Sequence, residues 1–266
     1  MALRGLALGI VLVALPAPFV ASTESAPLSE HSDQPYAAAP LGVSTAARAA
    51  RVTCAETFRT PVPDHSYAVT IPRPVVARAR PGGGRILQTI PRLDVNNYPT
   101  VLGVLGIKRG KACRPLYFRV ELPVEANGRT GWVAAWAVRS FTVRSRVVVN
   151  LSARRLVAYR DGKPVLHARI AAGTPSTPTP VGHYFVNERY LLANANGPFG
   201  VAALGISAHS TVLKNWVEGG PVALHGTNEP SLVGTYASHG CVRMLNADMA
   251  RLFKLAPAGT PVIIEP

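Results

Sequence analysis

His225–Asn246 reads HGTNEPSLVGTYASHGCVRMLN, and it holds two of the chain's seven histidines and one of its three cysteines. Its centre is Ser238-His239-Gly240-Cys241-Val242-Arg243. The thiolate is the nucleophilic form of cysteine, and a thiol with a pKa of about 8.5 is only a few per cent ionised at neutral pH. A base must therefore help, and it need be near only in space. His225 stands sixteen residues before Cys241, at the end of an expected strand from Pro221 to Leu224. His239 stands two residues before it, so an extended segment would point both side chains the same way, and Arg243 would continue that alternation. Cys241 is thus a candidate nucleophile in a β-rich setting.

The order His225-Gly226, the step to Cys241 and the run Ser-His-Gly-Cys-Val-Arg resemble the L,D-transpeptidase (YkuD-type) catalytic domain, a family of cysteine enzymes that remodel peptidoglycan. The likeness extends from about Val147 to Ile264: Thr179-Pro180-Val181-Gly182 resembles the family's Thr-Pro-x-Gly turn, and Gly259-Thr260-Pro261-Val262 its closing strand. The resemblance implies that His225 is the base and that the carbonyl of Gly226 orients its ring. It further implies attack of Cys241 on the third residue of a tetrapeptide stem, loss of D-alanine and a thioester. An amine from a neighbouring stem would resolve that thioester as a 3-3 cross-link, and water would resolve it as an L,D-carboxypeptidase does. No cofactor is implied, because the family is metal-free.

The remaining residues of the run have readings of their own. His239 would organise the substrate carbonyl or oxyanion, with backbone N–H groups around Gly240 and Cys241 completing that site. Ser238 would hold the loop by local hydrogen bonding. Arg243, with its forked guanidinium, would bind a stem-peptide carboxylate, the alternative being a structural ion pair. His225, His239 and Cys241 also match zinc-ligand types, but no carboxylate stands ready to support them. His31, His65, His167, His183 and His209 show no partner pattern. A different class of function is a non-catalytic peptidoglycan-binding wall protein, which would have no chemical need for the nucleophile.

The N-terminus reads Met-Ala-Leu-Arg followed by an apolar run from Gly5 to Val20, broken by Pro16 and Pro18, then Ala21-Ser22. Residues 1–22 are expected to be a secretory signal, an uncleaved signal being the one membrane link foreseen. Residues 23–66 are expected to be a flexible leader rich in Ala, Pro and Ser. Export to a periplasm or cell wall implies an oxidising compartment, so Cys54 and Cys113 are read as a disulfide, with Cys241 left reactive. The net charge is +14, and residues 68–143 hold twelve Lys and Arg against three acids, which suggests anionic wall polymers as a further partner. Nucleic acid is not expected, since no binding motif accompanies the charge.

The fold class expected is mainly β: a small SH3-like β-barrel, then a β-rich catalytic domain with a short helix near its C-terminus. Residues 67–143 form the SH3-like wall-binding domain in this reading, resting on Gly131-Trp132-Val133 and Trp136-Ala137-Val138, which resemble the tail of bacterial SH3-like modules. Short apolar stretches alternate there with Pro81-Gly82-Gly83-Gly84, Asn96-Asn97 and Asn127-Gly128 as turns. Trp132 and Trp136 are assigned to its core. Residues 144–266 form the catalytic domain. Within it, Asp161-Gly162 turns two strands, Thr174–Pro180 is a loop, and Leu191–Gly220, with five glycines, is expected to be a loop that covers the cleft. Asn246 is expected to cap a helix whose apolar face is Met249, Leu252 and Phe253.

Overall fold

The computed structural model describes residues 64–266 except 123, 214 and 216–219. Cys54, the signal and nearly all of the leader lie outside the described residues. The upstream strands are β1 (Ser66–Thr70), β2 (Val75–Arg80), β3 (Gly83–Ile90), β4 (Val101–Arg109), β5 (Pro115–Glu121), β6 (Thr130–Ala134) and β7 (Arg139–Val143). They form one antiparallel sheet in the order β3-β2-β6-β5-β4-β1-β7. Two of the expected turns sit between strands: Gly82 lies between β2 and β3, with Gly84 just inside β3, and Gly128 lies between β5 and β6, all three with positive φ.

The second sheet contains β8 (Ser145–Asn150), β9 (Arg155–Arg160), β10 (Lys163–Gly173), β11 (Gly182–Leu191), β12 (Ala202–His209), β13 (Pro221–His225), β14 (Tyr236–Ser238), β15 (Val242–Met244) and β16 (Pro261–Glu265). Its order is β14-β10-β15-β13-β12-β11-β16-β8-β9, and β9 pairs back to β10, so eight strands close into a barrel with β14 alongside. Closure removes the exposed edges that an open sheet would present. The single α-helix among the described residues, α1 (Asn246–Leu255), packs Met249 and Leu252 into the barrel core.

Alternation along β11 joins the two sheets. Tyr184 and Val186 face the barrel core, while Phe185 between them points the other way and packs among Val69, Leu102 and Phe118 of the upstream sheet. A side chain at Gly103 would come within 2.9 Å of that ring.

Three expectations need correction. The segment Leu191–Gly220 is not all covering loop: β12 runs through it, because Ala202-Ala203-Leu204-Gly205-Ile206 is small and apolar enough for a strand flanked by β11 and β13. Trp136 is not core. It is 78% exposed, with the Arg73 guanidinium 5.7 Å from the ring centre, because the short 3₁₀ turn Ala135–Ala137 buries Ala137 and turns the tryptophan outward. Asn246 is not the helix cap: Leu245 occupies that place, and the Asn246 side chain is used elsewhere, as described below.

Candidate active site

β13 and β15 run side by side and parallel, with Leu224 opposite Val242 and His225 opposite Arg243. That register brings Cys241, at the entry to β15, beside the end of β13, where it shares a hydrogen bond with the Ala223 backbone. Cys241 is a free cysteine, whereas Cys113 is disulfide-bonded. His225 and Cys241 both line a cavity of about 480 Å³, together with His239, Arg243 and Ser238.

His225 is 2% exposed, and its Nδ1 lies 2.6 Å from the carbonyl oxygen of Gly226. A carbonyl only accepts, so Nδ1 carries the proton and Nε2 carries the lone pair. Burial lowers the pKa of His225 to about 4; the Gly226 bond works against that shift and the Arg243 charge adds to it. Burial also pushes the Cys241 thiol up, although the Ala223 bond and Arg243 oppose it. The resting pair is therefore a neutral thiol and a neutral imidazole. The ring of Phe199 packs edgewise on His225, with centroids 4.8 Å apart.

Gly226 has no room for a side chain: a Cβ there would collide with Asn246 Oδ1 and lie 3.2 Å from Phe199 O. Asn246 Oδ1 in turn accepts from the Thr227 N–H at 3.0 Å, and its Nδ2 donates to Ala195 O at 3.3 Å. The side chain read from sequence as a helix cap thus fixes the turn after His225.

The Cys241 loop is held from two sides. Ser238 Oγ donates to Cys241 O at 2.5 Å and accepts from Gly240 N–H at 3.1 Å. Thr177 Oγ1 and Thr174 N–H both donate to Ser238 O, and Thr179 Oγ1 accepts from Gly173 N–H, so the Thr-Pro-x-Gly region buttresses the loop. Gly240 has φ 117°, a conformation that glycine adopts without strain. The segment is accordingly a turn rather than an extended strand, which corrects the expected alternation: His239 is exposed at the cavity while Cys241 is partly covered. Because Ser238 takes the Gly240 amide, that amide is not an oxyanion donor in this arrangement.

Arg243 forms an ion pair with Glu229 at 3.2 Å, and its buried Nε has no hydrogen-bond partner. Of the other described histidines, His65, His167, His183 and His209 do not line the cavity. Among the described residues no group of three His, Cys, Asp or Glu side chains is placed to hold a metal ion. Asn96, Asn187, Glu188 and Phe199 also line the cavity. Sequence marked none of them as functional: Asn96 is read there only as part of a turn, Asn187 and Glu188 are placed by strand pairing, and Phe199 comes from the turn between β11 and β12.

The L,D-transpeptidase catalytic domain model of the YkuD family matches residues 144–264. The YkuD protein of Bacillus licheniformis is 35% identical over 125 residues, covering 47% of this chain and 68% of that protein. Its counterpart in Bacillus subtilis is 31% identical over the same shares of the two chains. A solved L,D-transpeptidase of Xylanimonas cellulosilytica shares 24% identity over 45% of this chain and 59% of that one, with a TM-score of 0.35.

Proposed function

This chain belongs to the L,D-transpeptidase family, and we propose that it is an exported enzyme that cross-links peptidoglycan stem peptides through an acyl intermediate on Cys241. The observation that carries this reading is the Nδ1–H of His225 on the Gly226 carbonyl, which leaves Nε2 as the basic atom in the cavity that Cys241 also lines. As the sulfur attacks the carbonyl of the stem's third residue, Nε2 takes the thiol proton, and the Gly226 carbonyl stabilises the imidazolium that forms. The tetrahedral intermediate collapses by breaking its C–N bond. His225 returns the proton to the departing D-alanine and a thioester remains. His239 and the Cys241 amide are the proposed contacts for the oxyanion, and Arg243 for a stem carboxylate. An amine then resolves the thioester as a 3-3 cross-link, whereas water would yield a shortened stem.

The neutral resting pair suits this order of events. A proton moves only when substrate arrives, so no charge is buried beforehand. The basic upstream residues, with Trp136 exposed beside Arg73, support a role for that sheet in contact with anionic wall polymers.

Intact-protein mass spectrometry after incubation with a disaccharide-tetrapeptide tests the reading. Wild type should carry an adduct lacking D-alanine, and Cys241→Ala should carry none. A folded protein with a free Cys241 thiol that gives neither adduct nor product would end the proposal.

A further inference from the structure

The cavity floor between β11 and the nucleophile is made of backbone and very small side chains. Glu188 of β11 pairs with Gly205 of β12, Gly205 pairs with Ala223 of β13, and Ala223 shares a backbone hydrogen bond with Cys241. Leu204 and Ile206 flank Gly205, Val222 and Leu224 flank Ala223, and all four pack in the barrel core. Gly205 and Ala223 therefore face outward, where both line the cavity. Three steps of strand spacing, about 4.8 Å each, give this track a backbone-to-backbone length of roughly 14 Å, the span of about four extended residues.

A bulge sets one polar residue at its far end. Val186 pairs with Ile206 and Glu188 with Gly205, so Asn187 between them is an extra residue with no cross-strand partner, and its side chain lines the cavity. A Cβ at Gly205 would lie 3.2 Å from Asn187 Oδ1, which puts that oxygen above the β12 end of the track. Oδ1 is buried and accepts no hydrogen bond from the fold. Such a group costs free energy unless a donor from a bound molecule reaches it.

We infer that Asn187 Oδ1 accepts the amide N–H of the first residue of the donor stem, so that the enzyme recognises the stem at its sugar-linked end. The inference rests on the acyl-transfer reading above. The cavity joins Cys241 to β11, and the acyl chain stays on Cys241 through both half-reactions, so it is the part of the substrate that a fixed track serves. With the third-residue carbonyl at Cys241, the N–H of the first residue lies about 10 Å back along an extended chain. The Asn187 side chain spans the remainder. An uncharged carbonyl oxygen suits an uncharged amide donor.

The test uses the full chain and two donors: an N-acetylated tetrapeptide stem, and the same stem with its first amide replaced by an ester, which keeps the shape and removes that one N–H. Acylation of Cys241 is followed over a series of donor concentrations. In wild type the ester donor should need about three- to tenfold more for half-maximal rate, with the maximal rate little changed, as expected for a neutral hydrogen bond remote from the reacting bond. Asn187→Ala should show the same rise with the amide donor, no further rise with the ester, and so no distinction between the two. Gly205→Ala, which sets a methyl group against Oδ1, should erase the distinction by a second route. Wild type that treats both donors alike would overturn the inference. So would Asn187→Ala if it still separated the donors, or if it weakened the ester donor as much as the amide donor. Those outcomes leave Cys241 chemistry intact, whereas failure of the wild type to acylate with the amide donor would overturn the acyl-transfer reading and this inference with it.

Discussion

The two walls of the cavity are built on opposite plans. The wall of β13 and β15 is local: His225, Gly226, Ser238, Cys241 and Arg243 lie within one short stretch, and their hydrogen bonds run mostly to neighbours in that stretch or to the Thr174–Thr179 loop. The wall of β11 and β12 is assembled from distant pieces, with Asn96, in the turn between β3 and β4, reaching Glu188 across 92 residues of sequence. Geometry that chemistry cannot relax is written in consecutive residues. The second wall depends instead on contacts between distant parts of the chain.

Removing the base on the first wall should have the largest effect. His225→Ala is expected to lower the acylation rate about 10²- to 10⁴-fold, the ordinary worth of a positioned general base, while the far-UV circular dichroism stays unchanged. The pH dependence adds a check on the resting state. Because burial raises the Cys241 thiol and holds His225 near 4, its alkylation by iodoacetamide should keep accelerating above pH 8 with no shoulder between pH 6 and 7. A plateau beginning near neutrality would mean a preformed thiolate–imidazolium pair and would contradict the neutral arrangement.

The contrast between the walls also explains what was legible. The first wall could be read from the run around Cys241, because a nucleophile, its base and a glycine that only a tight turn needs are chemically conspicuous. The eight-stranded closure could not be read so directly: the β9–β10 hairpin follows from the Asp161-Gly162 turn, but the parallel β8–β16 and β13–β15 contacts depend on non-local register. Asn246 shows why a correct local pattern can mislead: it does begin a helix, yet its amide is drawn to the Thr227 N–H, a partner visible only in three dimensions. Asn187 was illegible for a different reason. A bulge leaves no trace in hydrophobic alternation when a polar residue occupies it.

Next in size is the joint between the sheets. Phe185→Ala leaves a hole in the upstream core and should cost about 3–5 kcal/mol. Calorimetry should then show two transitions in place of one, because the ring is an apolar tie between the sheets, the packing of Ala258 near Ala68 and Val143 being another. A single transition shifted downward would mean that the other ties suffice to keep the units cooperative.

Glu121 sits in the same joint, 3% exposed, accepting from Ser207 Oγ at 2.9 Å. Burial raises its pKa from 4.5 to about 7, with the Ser207 bond opposing the shift. Below pH 4.5 folded and unfolded chains both keep the proton. Between there and about 7 the folded chain binds more protons, so stability falls as pH rises; above 7 the full cost of the buried charge is present, about 3 kcal/mol. Glu121→Gln keeps an acceptor for Ser207 and removes the charge. It should raise the Tm at pH 8 and leave it nearly unchanged at pH 4. Equal effects at both pH values would show that the carboxyl is not buried as described.

The smallest effect concerns whether the upstream sheet steadies the second wall. The Asn127 side chain acts as a strand partner for the end of β12, its Nδ2 donating to His209 O and its Oδ1 accepting from His209 N–H, each at 2.8 Å. Asn127→Ala removes both bonds and should cost about 1–2 kcal/mol, a fall in Tm of a few degrees. Its informative consequence is local. Amide exchange at His209 and along β12 should quicken, whereas acylation, which depends on the β13–β15 wall, should change less. If acylation fell as steeply as exchange protection along β12, the two walls would move as one body, and the contrast between them would have to be given up.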